Sequence, residues 1–203
     1  MLLVGLTGGI GAGKSTVTSM LADRGAVILD ADVFARQAVQ AGSDGFDRVV
    51  ERFGAEVVGP DGQLDRAKLA SIVFAGPDAL RDLEAIVHPQ VRRLVADGIT
   101  ANVGTDNVVV LVNPLLIEMG THRDCDVVVV VSATPETQVT RSTAHGMDES
   151  DVRARIAAQL PLDERARHAD VILDNEGTIE ELAGQVERLW NELGGRTPPT
   201  EAS

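Results

Sequence analysis

The stretch Gly8-Gly9-Ile10-Gly11-Ala12-Gly13-Lys14-Ser15 constrains this chain more than any other. It fits GxxxxGK followed by Ser or Thr, comes directly after the apolar run Leu3 to Leu6, and leads into a helix-like run from Thr16 to Asp23. Glycines at those positions let the backbone wrap an anion with its amide hydrogens, and the helix that follows adds the positive end of a dipole. Such a loop takes nucleotide phosphates. Gly9, Gly11, Ala12, Gly13, Lys14, Ser15 and Thr16 are therefore the candidate nucleotide contacts, with Lys14 reaching the β and γ phosphates and the Ser15 hydroxyl a candidate magnesium ligand. The bland alternative is a glycine-rich turn carrying a surface lysine. A dinucleotide site fits less well, because the run lacks the GxGxxG register.

Four more apolar runs, Val27 to Leu29, Val108 to Val112, Val127 to Val131 and Val171 to Leu173, are rich in β-branched residues and bounded by polar or turn residues. They read, like Leu3 to Leu6, as strands buried on both faces. Five such strands separated by stretches of helical periodicity predict an α/β fold, a parallel sheet covered by helices on both sides. The spacing is uneven. Nearly eighty residues separate Leu29 from Val108, with helix-like segments at about 31–41, 44–53, 65–74, 78–86 and 89–103, so a helical insertion over about 32–106 is expected. A second long segment, about 136–168, is rich in Arg, Asp and Glu around Gly146 and is broken at Pro161. It reads as a mobile lid or as solvated helix faces. Residues 195–203 read as a flexible tail after a single domain over 1–194.

Composition narrows the function. The net charge of −13 opposes a nucleic-acid or anionic-membrane binder that works by long-range attraction. Only Lys14 and Lys68 are lysines, and four Phe, one Trp and no Tyr leave little for base stacking. The single Cys125 with four scattered His gives no internal disulfide and no structural zinc spacing, which suits a reducing cytoplasm. The N-terminus has no basic region before its glycines, and no apolar run is long enough to span a bilayer. No obligate protein partner is evident.

A phosphate loop leaves kinase, switch GTPase and motor ATPase open. No DxxG element follows the third apolar run, neither NKxD nor TKxD occurs, and the run 108–112 continues into Asn113-Pro114 rather than an acidic residue. A small-molecule kinase needs a carboxylate near its acceptor hydroxyl. Asp30 and Asp32 follow the second strand, at the edge where an α/β sheet presents residues to ligands.

Several motifs then occur in order: Gly5 through Ser15, Asp30-Ala31-Asp32, Ile86-Val87-His88-Pro89, Pro114-Leu115-Leu116-Ile117-Glu118, Gln138 with Arg141, and Arg155-Ile156-Ala157-Ala158-Gln159 through Ala169-Asp170 to Asp174-Asn175. Together they resemble the dephospho-CoA kinase family over about residues 2 to 190. The resemblance implies a three-layer α/β/α P-loop nucleotide-kinase-like fold with a helical acceptor-binding insertion and a lid. It implies ATP and Mg2+ as nucleotide and metal, dephospho-CoA as acceptor, and transfer of the γ-phosphate to the ribose 3′-hydroxyl. Carried over position by position, it makes Asp32, Lys14 and Arg141 catalytic, adds Asn175 to the nucleotide contacts, and gives Asp32, Arg36, His88, Leu115 and Leu116 to the acceptor.

Each of these positions has a structural competitor. Asp32 could cap the helix that follows it, and Arg36, one turn on, could simply pair with Asp32. His88 could be a hydrogen-bonded core residue, Leu115 and Leu116 ordinary core, and Glu118 a partner for nearby polar groups. The sequence departs from the family pattern at His145, where a second lid arginine is expected; Arg153, Arg155 or Arg165 could replace it. A P-loop kinase for another small acceptor, or a nucleotide-dependent binding protein with weakened catalysis, also fits these residues.

Overall fold

The computed structural model describes residues 1–74 and 76–196. Two compact units divide the chain, one formed by residues 1–30 together with those from 102 onward, the other by residues 31–101.

The first unit is built on five parallel strands, β1 (Leu2–Gly8), β2 (Val27–Asp30), β3 (Val108–Val112), β4 (Val127–Ser132) and β5 (Val171–Asp174), in the order β2-β3-β1-β4-β5. Side chains alternate across a strand, so each strand serves two faces. Leu2, Val4 and Leu6 of β1 join Val108, Val110 and Val112 of β3 and Val127, Val129 and Val131 of β4 on one face. They pack there against α1 (Lys14–Ala22) through Val17 and Leu21 and against α9 (Ile179–Arg196) through Leu182, Val186, Leu189 and Leu193. The register at the start of the sheet is pinned by two carboxylates. Asp126 accepts from the Leu3 N–H at 2.7 Å, and Asp170 from the Val128 N–H at 2.8 Å.

Reading all five strands as buried on both faces holds for β1, β3 and β4 and fails at the edges. In β2 only Leu29 is fully buried, and in β5 only Leu173, with Ile172 48% exposed. An edge strand has one neighbour, and its outer residues need not be covered on both sides.

Between β4 and β5 lie α6 (Pro135–Ala144), α7 (Glu149–Ala158) and α8 (Leu162–Ala166), with α6 and α7 packed together. Each of the first two begins at a side-chain cap. Thr134 Oγ1 accepts from the Thr137 N–H, and Asp148 Oδ1 from the Ser150 N–H.

Among its described residues the second unit is helical apart from an isolated bridge between Val58 and Leu64: α2 (Ala31–Ala38), α3 (Asp44–Phe53), a 3-10 turn at Ala55–Val57, α4 (Arg66–Phe74) and α5 (Pro77–Thr100). Its own core gathers Val39, Val49, Phe53, Val57, Leu69, Val73 and Ile86. The expected break between helices at His88-Pro89 does not occur; α5 runs through Pro89. Proline removes one helical hydrogen bond, but Leu80, Leu83, Ile86 and Val87 pack on this core just before it, and that packing outweighs the local penalty. At the other end of the chain α9 continues to Arg196, past the expected end of the domain at 194. Residues 197–203 of the expected tail lie outside the described residues.

Close packing makes glycine substitutions sign-dependent. A Cβ on Gly5 would sit 2.6 Å from Leu116 Cδ2 and 2.8 Å from Cys125 Sγ, whereas one on Gly184, within α9, meets only Arg188 Nη1 at 3.7 Å. Gly5→Ala is expected to destabilise by about 1–3 kcal/mol. Gly184→Ala is expected to stabilise by about 0.5–1 kcal/mol. Urea unfolding midpoints of the two variants should move in opposite directions.

Candidate nucleotide site and its supports

The glycine loop joins β1 to α1 at the carboxyl edge of the sheet. Gly11 (φ 66°) and Gly13 (φ 97°) take left-handed conformations that side chains resist. Gly13 is the N-cap of α1, and no side chain caps that helix end. The Thr16 and Val17 N–H groups turn back to the Gly13 carbonyl at 3.1 and 3.2 Å and close the first turn, whose positive dipole end lies at the loop. Lys14 Nζ donates to the carbonyls of Gly8 and Gly9 at 3.0 and 2.9 Å, which holds its charge over the loop. Ser15 is exposed in the first turn of α1.

Three neutral amide side chains brace the loop from outside. Gln138 of α6 is buried, donates to the Ala133 carbonyl at 2.8 Å, and lies so close that a Cβ on Gly9 would meet its Oε1 at 2.4 Å. Asn175, buried just after β5, donates to the Ala12 carbonyl at 2.8 Å, and a Cβ on Gly13 would meet its Nδ2 at 2.1 Å. Gln159, at the end of α7, accepts from the Ile10 N–H at 3.2 Å. The glycines are thus required as much by close neighbours as by backbone angles.

Arg141 of α6 joins the same cluster. Its Nη2 donates to the Asn175 carbonyl at 2.8 Å, while Nη1 is buried with no protein partner. A buried guanidinium nitrogen without an acceptor costs free energy unless an acceptor arrives, and a phosphate oxygen is one. Beside it Glu176 accepts from the Thr134 N–H and from Thr137 Oγ1. Those hydrogen bonds, aided by the Arg141 charge, hold its carboxyl below the usual range.

The turn after β3 is organised around Glu118. Arg165 of α8, 3% exposed, donates to Glu118 Oε1 at 3.0 Å, and the Leu160 N–H donates to the same atom at 3.1 Å. Burial alone would raise the Glu118 pKa. Hydrogen bonds from its own backbone, from Arg165 and from Leu160, with the Arg165 charge, outweigh that and leave it lowered. Leu116 is fully buried beneath β1, so of the pair Leu115-Leu116 only Leu115 presents apolar surface. Cys125 is packed beside Leu116, and burial together with Asp124 and Asp126 pushes its thiol up to about 11.

The remaining sequence candidates lie on other elements. Asp30 ends β2. Asp32 and Arg36 lie on α2, where Asp32 occupies the first helical turn rather than the cap position, and Arg36 Nε donates to the Asp32 carbonyl at 3.1 Å. His88 is exposed on α5 rather than part of a core. His145 is exposed at the end of α6. Among the arginines that could replace a second lid arginine, Arg165 is committed to Glu118 and Arg153 pairs with Glu149 at 2.8 Å; Arg155 is exposed. Among the described residues no group of three His, Cys, Asp or Glu gathers to hold a metal, and no helix is long and apolar enough to cross a membrane. The loop-bracing roles of Gln138 and Gln159 were not legible from spacing, although both belong to the motifs that carry the family resemblance.

A family model described as dephospho-CoA kinase matches residues 2–181. The chain is 50% identical over 194 residues to a dephospho-CoA kinase of Streptomyces avermitilis, covering 95% of this chain and 94% of that protein. It is similar to a solved protein of Thermus thermophilus with a TM-score of 0.78 at 36% identity, covering 95% of this chain and 97% of that one. It also shares its fold with a solved dephospho-CoA kinase of Campylobacter jejuni, with a TM-score of 0.73 at 20% identity and coverage of 95% and 97%.

The depressed Glu118 pKa fixes a pH dependence. A carboxyl whose folded pKa lies below its unfolded value, about 4.3 for Glu, contributes stability above that value and loses it as pH falls through the folded pKa. Glu118→Gln should therefore be less stable than the parent at pH 7, with the gap closing as pH falls below about 4. Urea titrations at a series of pH values would read this. A gap that does not change with pH would mean that the Glu118 charge does not hold the turn.

Proposed function

The chain belongs to the dephospho-CoA kinase family, and from that premise we propose that it transfers the γ-phosphate of ATP to the ribose 3′-hydroxyl of dephospho-CoA, giving coenzyme A and ADP. This is the last step of coenzyme A synthesis, and we assign it to the cytoplasm. The observation that carries the reading is the uncapped, left-handed Gly13 entry into α1 with Lys14 folded over the loop, beside a buried Arg141 nitrogen that lacks an acceptor.

The loop and the start of α1 hold the phosphates through amides other than those of Ile10, Ala12 and Thr16, which bond within the protein, and Lys14 and Arg141 neutralise charge that develops on the transferred group. The donor set suits magnesium that arrives with the nucleotide: Ser15 supplies one hard hydroxyl oxygen, and among the described residues no cluster of acidic, His or Cys ligands forms a cage for the ion. Ser15 is the residue that would hold it, and the chemistry magnesium supplies is charge neutralisation on the β and γ phosphates. Asn175 acts through the loop and through Arg141, since its side chain and carbonyl are engaged there.

Residues 31–101 form the acceptor unit in this reading, and the stretch from 136 to 168 is the lid. Asp32 directs the ribose hydroxyl in line with the γ-phosphate and takes its proton, while Arg36 and His88 bind anionic or polar groups of the acceptor. Leu115 offers it apolar surface. Leu116 supports that turn from below. Positioning of this kind is the main source of rate in phosphoryl transfer.

A coupled assay with ATP, magnesium and dephospho-CoA tests the activity, with nucleoside monophosphates and sugar acids as acceptor controls. Turnover is expected with dephospho-CoA alone. Lys14→Ala should lower kcat by about 100-fold or more with the fold intact by circular dichroism. Asp32→Asn should keep ATP affinity while lowering kcat about 100-fold or more. Equal loss of binding and transfer in Asp32→Asn would assign that residue a structural role instead.

A further inference from the structure

Gln159 stands where the charged segment after α6 meets the glycine loop. It ends α7 with extended backbone (φ −92°, ψ 156°), and its side-chain oxygen accepts from the Ile10 N–H at 3.2 Å. Its position is not left to a mobile surface chain. On one side its own N–H returns to the Ile156 carbonyl at 3.3 Å. On the other, the Leu160 N–H is fixed on Glu118, which is itself tied to the buried Arg165.

The identity of the clamp is chemically specific. A carboxylate is a stronger acceptor for a backbone N–H than an amide is. It would also set a negative charge against a loop whose cations are Lys14 and, through Asn175, Arg141. The other side chains gripping the loop, Gln138 and Asn175, are amides as well. Ser142, whose Oγ a Cβ on Gly11 would meet at 2.6 Å, is neutral too, so in a chain of net charge −13, with 31 acidic residues, Gln138, Ser142, Gln159 and Asn175 all brace the loop without charge.

We propose that Gln159 is a positioning residue for nucleotide: it fixes the glycine loop at Ile10 and does so without charge, so that the loop's donors face phosphate at full strength. The inference rests on the reading of the loop as a nucleotide phosphate site. It couples the end of the expected lid to the same backbone that would hold the phosphates.

Two substitutions separate this role from a merely structural one. Gln159→Glu keeps an acceptor for Ile10 and adds a charge; Gln159→Ala removes the acceptor. ATP affinity is read by titration calorimetry, and exchange of the Ile10 amide by NMR in the absence of nucleotide. The expected result is slow Ile10 exchange in the parent and in Gln159→Glu and faster exchange in Gln159→Ala. ATP binding should weaken about 5-fold in Gln159→Ala and about 10-fold or more in Gln159→Glu, the latter loss shrinking as salt is raised. Gln159→Glu binding ATP as tightly as the parent would overturn the proposal, because a purely structural acceptor survives that change. Unchanged Ile10 exchange in Gln159→Ala would overturn it too. Neither readout uses dephospho-CoA, so absence of transfer to that acceptor would count against the proposed reaction and not against the clamp.

Discussion

A loop made mostly of glycine has few side chains of its own with which to hold its shape. The segment from Gly8 to Gly13 carries only Ile10 and Ala12 as residues with a Cβ, so its conformation is imposed by neighbours. Those neighbours come from segments far away in sequence, and the strand order explains how they arrive. In β2-β3-β1-β4-β5 the carboxyl ends of β1, β4 and β5 are consecutive. The residues that follow β4 deliver Gln138 and Arg141, and the residue after β5 is Asn175. A parallel sheet requires long crossovers between its strands, and here the crossover from β4 to β5 also carries Gln159 back to the loop. The topology is thus inseparable from the bracing of the loop.

The electrostatics follow from the same arrangement. A chain of net charge −13 has no long-range field to gather anions, so phosphate affinity must be local. In the proposed reading backbone donors, one lysine and one arginine supply it, and Gln138, Gln159 and Asn175, which brace the loop, carry no charge. Carboxylates are used where they hold structure instead. Asp126 and Asp170 pin the start of the sheet, and Glu118 neutralises a buried arginine. Acidic residues are plentiful, yet the loop is braced by amides.

Much of this was legible in the sequence because it depends on local pattern. The glycine loop is a contiguous motif, and β1, β3 and β4 announce themselves by unbroken apolar runs that only a sheet buried on both faces tolerates. What was not legible depends on partners distant in sequence. Pro89 reads locally as a break, and its tolerance within α5 comes from the packing of Ile86 and its neighbours on residues 39–73. Val171 to Leu173 looks like a central strand until its place at the edge is known. Arg165 sits in a charged run that suggests a solvated face, and only the location of Glu118 makes its burial affordable. Gln159 carries no charge and no periodic signal, so nothing in its local context marks it as a contact of the loop. The dephospho-CoA kinase resemblance supplied the motif without the reason for it.

The bare start of α1 has a further consequence. A helix that starts at a glycine with no side-chain cap forgoes the stabilisation that a Ser, Thr or Asp cap provides, about 1 kcal/mol. An anion that binds there restores it, and a ligand that binds only the folded chain raises its stability in proportion to the logarithm of its concentration over its dissociation constant. The empty enzyme and the loaded one therefore differ in resistance to unfolding as well as in contents. With nucleotide as that anion, as proposed, its supply becomes a determinant of how long the folded protein persists.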